Sequence, residues 1–103
     1  MTSHFIITYQ DLRRLLDITQ GDDYVAFSID DKNEIVLVKD SYIYPITLCE
    51  VNTKSAIFPR SFLKEVVKYA LPNEFVVIKF TKELILVRLT HETLGTPTTR
   101  EQR

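Results

Sequence analysis

Five carboxylates crowd two nearby stretches of the chain, Asp22 and Asp23, then Asp30, Asp31 and Glu34. Grouped carboxylates can hold a hard divalent cation or share acid and base work. These, however, fall in two separate polar turns, where Asp ordinarily bonds its own backbone. His4 and His91 have no cysteine at ligand spacing, and His91 has Glu92 adjacent to it rather than one helical turn away. Gly21 and Gly95 are too few and too far apart to build a phosphate-cradling loop. No serine sits in a nucleophile elbow. The expectation is a protein that is not an enzyme and uses no metal and no cofactor.

The cationic residues have clearer spacing. Arg60, Lys64 and Lys68 recur every four positions, so on a helix they fall within about 80° of one another, opposite Phe62, Leu63, Val66, Val67 and Ala70. Arg13 and Arg14 likewise turn away from Leu12, Leu15 and Leu16, with Asp17 sharing their face. Such stripes are suited to phosphate contact, although solvation is the ordinary fate of Lys and Arg on a helix surface.

The elements that position these residues follow from periodicity. Phe5 to Tyr9 is β-rich and leads into a helix from Asp11 to Ile18; Tyr24 to Ile29 and Glu34 to Lys39 are strands around the polar turn Asp30 to Asn33. A turn over Lys39 to Ser41 precedes a long strand from Tyr42 to Val51, in which Pro45 requires a bulge or an edge. Ala56 to Phe58 is extended, Pro59 precedes a helix over about Arg60 to Leu71 with Ser61 as its expected cap, and Glu74 to Phe80 and Leu84 to Leu89 form a hairpin. From Thr90 onward Gly, Pro and Thr dominate, which predicts a tail without fixed structure over residues 91–103.

The chain has 103 residues, 45% hydrophobic and 26% charged, with a formal net charge of -1. That composition and length fit one α+β domain over residues 1–90 with a core of its own, and exclude strong nonspecific attraction to nucleic acid. Cys49 has no second cysteine to pair with and lies in an apolar run, so it is expected to pack as a small buried hydrophobe. No basic stretch with a long apolar region opens the chain, and no window approaches a membrane span. A cytoplasmic location is the default.

Sliding the sequence by 51 places sets Ile6 on Ile57, Ile7 on Phe58, Leu12 on Leu63, Leu15 on Val66, Val25 on Val76 and Phe27 on Ile78. After a turn read as two residues shorter in the second copy, Glu34 falls on Glu83 and Ile35 to Lys39 fall on Leu84 to Arg88. The chain is thus a duplicated β-α-β-β(-β) motif, with copies over residues 5–51 and 56–89 and two helices packed on one face of an antiparallel sheet. The second copy lacks a counterpart to the strand from Tyr42 to Val51.

This order, and above all the segment AIFPRSFLKEVVKYALPNEFVVIKFTKELILVRL from Ala56 to Leu89, resembles one domain of a DNA polymerase sliding clamp of the bacterial type. The resemblance implies a noncatalytic accessory factor of DNA replication or processing that self-assembles, about six copies being needed for a comparable ring. It also implies that the helices face duplex DNA, with Arg13, Arg14, Arg60, Lys64 and Lys68 as candidate contacts. A rival expectation is a protein-binding adaptor, inhibitor or immunity-type domain on the same scaffold. It would use an open strand edge or aromatic surface, with Tyr42 and Tyr44, two apart on one strand, as anchors for a protein partner.

Overall fold

Apolar residues at positions 12, 15 and 16, and again at 63 and 66, give each helix one buried side, and those five side chains are buried in the core. The computed structural model describes residues 2–38, 42–89 and 93–97. In chain order the elements are β1 (Ser3–Thr8), α1 (Tyr9–Ile18), β2 (Tyr24–Ile29), β3 (Glu34–Leu37), β4 (Tyr42–Thr47), β5 (Glu50–Val51), β6 (Ser55–Pro59), α2 (Arg60–Tyr69), β7 (Phe75–Phe80), β8 (Leu84–Arg88) and β9 (Thr93–Pro97). The fold class is α+β. The turn expected over Lys39 to Ser41 lies outside the described residues.

The 51-residue offset carries the bounds of α1 onto α2 and of β2 onto β7. The expected single sheet is corrected to two. One has the order β5-β1-β7-β8-β9 and the other β4-β3-β2-β6, with every pairing antiparallel. Each copy's first strand therefore lies beside the other copy's second strand: β1 pairs with β7, and β6 with β2. The exchange extends to the helix starts. Tyr9 N–H donates to the Glu74 carbonyl at 3.1 Å, and the corresponding Arg60 N–H donates to the Asp23 carbonyl at 2.9 Å. One orphan donor of each helix is thus satisfied by the other copy.

Four further expectations are corrected. The second copy does have a counterpart of β4, because β9 pairs with β8 as β4 pairs with β3. Residues 93–97 are a strand rather than part of a tail, while the rest of 91–103, His91 included, lies outside the described residues. The long strand from Tyr42 to Val51 is also two strands in different sheets, with Leu48 and Cys49 crossing between β4 and β5. At that crossover Cys49 N–H donates to the Ile6 carbonyl at 2.9 Å and its thiol is exposed, not buried. Pro45 sits on β4, at the outer edge of its sheet, opposite a register shift between Glu34 and Val36.

The register of the hairpins corrects the repeat itself. Phe27 faces Leu37 and Ile29 faces Ile35 in the first copy, while Ile78 faces Val87 and Phe80 faces Ile85 in the second. Ile35 therefore corresponds to Ile85 rather than Leu84, and the second turn is one residue shorter, not two. Burial requires this: Ile35, Leu37, Ile85 and Val87 are buried and Leu84 is exposed, and a one-residue slip would turn each strand inside out.

The buried side chains form one cluster drawn from both copies. At its centre Phe5, Phe27 and Phe58 meet edge-on or tilted, and the partly buried Phe80 packs against Phe58 with ring centroids 5.1 Å apart. Burying each such side chain contributes about 1.5–3 kcal/mol.

Candidate nucleic-acid interface

α1 begins at Thr8, whose hydroxyl accepts the Asp11 N–H at 3.2 Å. α2 begins at Pro59, which has no side-chain hydrogen bond to offer. The expectation that Ser61 caps α2 is corrected: Ser61 is an exposed residue of the first turn. The two helices touch each other, α1 against β1 and α2 against β6 and β2. Their exposed sides bring together Arg13, Arg14, Lys64 and Lys68 with Asp11, Asp17 and Glu65.

The five expected cations separate into distinct roles. Arg60 is drawn out of the stripe: its Nη2 donates to the Leu16 carbonyl at 2.7 Å and its Nε to Thr19 Oγ1 at 3.4 Å. It thus ties the start of α2 to the end of α1, where unsatisfied carbonyls and the helix dipole favour a cation. Arg14 lies 3.6 Å from Asp11 Oδ1, and its Nη1 donates to the Pro45 carbonyl at 3.4 Å. The Arg13 guanidinium lies 6.0 Å from the centroid of the Tyr9 ring. Lys68, 70% exposed, has Glu65 at 3.7 Å. Lys64 is exposed and has no ion-pair partner among the described residues.

Under the 51-residue offset Arg13 corresponds to Lys64, so one cation is present on both helices. Asp17 corresponds to Lys68 and Arg14 to Glu65, so the remaining positions alternate in sign. Four cations against three anions leave the combined helix surface with a small positive excess. A phosphate contact built on it would be weak per copy, with a salt dependence set by the few cations that take part.

The tyrosines of the rival expectation lie together on β4, their rings 6.2 Å apart and T-shaped. Tyr42 is 63% exposed, whereas Tyr44 packs partly against the core. The acidic cluster is dispersed. Asp30 Oδ1 accepts from Lys32 N–H and Glu34 N–H, both at 2.9 Å, and so shapes the turn in which Asn33 takes φ 64°. Asp22 and Asp23 lie beyond the other end of β2. Among the described residues no group of three or more His, Cys, Asp or Glu is placed to hold a metal ion, and no helix is long and apolar enough to cross a membrane.

No family model and no curated protein matches this chain.

Sequence reasoning missed the Arg60 contact to α1 and the hydrogen bonds exchanged at the helix starts. The recurrence of a strand-to-helix junction at both Thr8 and Pro59 was the available signal for the second.

Proposed function

We propose that the chain is a noncatalytic, clamp-like module that serves DNA replication or processing by self-assembly and by binding duplex DNA along its helix surface. The observation that carries this reading is the architecture: two sheets that exchange their first strands, with a paired helix surface of which Arg13 and Lys64 are the equivalent cations. Arg13, Lys64 and Lys68 are the phosphate contacts in this reading, and Arg14 and Arg60 serve the fold. Assembly would join copies head to tail through β4 of one copy and β9 of the next, which are corresponding strands at the outer edges of the two sheets.

Light scattering tests the assembly and salt-dependent binding of duplex DNA tests the surface. A multimer whose DNA affinity falls on replacing Lys64 and Lys68 by Glu is the expected result, and a monomer indifferent to DNA would refute the reading.

The adaptor reading has one observation in its favour. Tyr42 and Ile43 are 63% and 60% exposed on the edge strand β4, a surface that a protein partner would cover. Affinity purification recovering one stable protein partner and no nucleic acid would favour it.

A further inference from the structure

In the first sheet the edge of β1 is not open. Asn52 N–H donates to the His4 carbonyl at 3.1 Å, Cys49 N–H to the Ile6 carbonyl at 2.9 Å, and His4 N–H to Asn52 Oδ1 at 2.6 Å, so the short strand β5 and its flanks cover it. The residues corresponding to His4 and Ile6 are Ser55 and Ile57 of β6. Their backbone groups face the same way. Ile29 N–H donates to the Lys54 carbonyl at 2.9 Å, which makes 29 with 54, 27 with 56 and 25 with 58 the hydrogen-bonded pairs of the β2–β6 ladder. Ser55, Ile57 and Pro59 alternate with these and turn their backbone groups away from β2. Among the described residues no strand pairs with that side of β6.

A groove runs beside this edge, lined by Ser3, Tyr24, Ala26, Ile57, Phe80 and Lys82 among others. Ile57 is 61% exposed and Tyr24 48%. Phe80 and Lys82 correspond to Ile29 and Asp31, which border the hollow beside β5 in the first copy. One end of the groove thus corresponds to the hollow beside β5, on the side of β6 that matches the β5 side of β1. Among the described residues no carboxylate lines it; Lys82 does, and exposed Lys54 immediately precedes β6.

We propose that this groove docks one extended peptide strand of another protein, with apolar residues alternating with acidic ones. Backbone pairing to Ser55 and Ile57 supplies the register, the apolar residues on one side of the added strand cover Ile57, and the acidic residues on the other side face Lys54 and Lys82. Pro59 has no N–H, so the edge offers donors at Ser55 and Ile57 alone and accepts a short strand rather than a whole sheet.

The test titrates a capped peptide, Thr-Leu-Ser-Glu-Val-Asn-Thr, into the isotope-labelled full chain and follows amide resonances. It is the chain's own 47–53 with Ser replacing Cys, the segment that covers the corresponding edge of β1, and its Glu-Val pair sets one acidic residue next to one apolar residue. Shifts confined to Ser55, Ile57 and Phe80 to Lys82 are expected, with affinity about fivefold lower when its Glu is changed to Lys. Ile57→Pro removes a donor that makes no bond to β2 and should abolish binding while leaving the remaining spectrum in place. If that variant does not fold, Lys82→Glu gives the second reading: affinity should fall for the Glu peptide and rise for the Lys peptide. No shift up to about 1 mM peptide, shifts elsewhere, or indifference to Lys82→Glu would overturn the proposal. So would displacement of the chain's own residues 98–103 by the peptide, or concentration-dependent shifts at Ser55 and Ile57 without peptide. Those results would assign the edge to this chain or to a second copy of it.

Discussion

The guanidinium of Arg60, the first residue of α2, donates to the carbonyl of Leu16 in the last turn of α1 at 2.7 Å. This contact joins the two copies, and it is made by a residue that a helical wheel assigns to the solvent stripe. Arg60→Ala should therefore act on stability, lowering it by about 1–2 kcal/mol through a lost charge-assisted bond and an uncapped helix end. Chemical denaturation measures the loss. DNA affinity, where the proposed function holds, should change far less than for Lys64→Glu.

The helix starts separate in the same way. Thr8 caps α1 through its side chain, so Thr8→Ala should cost about 1 kcal/mol. Ser61 caps nothing in α2 and is exposed, so Ser61→Ala should lie within about 0.5 kcal/mol of the parent, on the stabilising side because alanine favours the helix. Paired thermal melts of the two variants check the contrast, and equal losses would contradict the cap assignment.

The helices and the inner strands were legible because their signals are local. Leu12, Leu15 and Leu16 state a helix face within one turn, and the 51-residue offset then predicts the second helix from the first. The exchange of first strands was not legible, since nothing near β1 or β7 encodes pairing between residues as distant as Phe5 and Ile78. β9 was missed because Thr-Leu-Gly-Thr-Pro has the composition of a loop, yet a strand that ends on proline is tolerated at a sheet edge. The crossover at Leu48 and Cys49 was hidden inside a continuous β-rich run, and with it the exposure of the thiol. The candidate surface was half legible: Arg13, Lys64 and Lys68 are where the wheel puts them, but a wheel holds one helix and cannot show that Arg60 has a partner on the other.

Gly21 takes φ 88°, in the turn between α1 and β2, and a Cβ placed there would meet nothing within 4 Å. The cost of Gly21→Ala is consequently one of backbone conformation alone, about 1–2 kcal/mol for holding an L side chain in the left-handed region. Urea denaturation should show a lower midpoint with an unchanged slope, since the surface exposed on unfolding stays the same.

The helix surface gives the last prediction. Asp17 occupies on α1 the position that Lys68 occupies on α2, so the equivalence of the copies marks it as the anion that most directly opposes the proposed DNA contact. Asp17 is exposed and forms no ion pair among the described residues, so Asp17→Lys should leave stability within about 0.5 kcal/mol. It replaces an anion with a second symmetric cation. Duplex DNA affinity at low salt should rise, and the dependence of log affinity on log salt should steepen by about 0.9 if the new lysine reaches one phosphate. Fluorescence anisotropy over a salt series measures both. An unchanged slope would mean that this helix surface does not face the phosphates, whatever the oligomeric state.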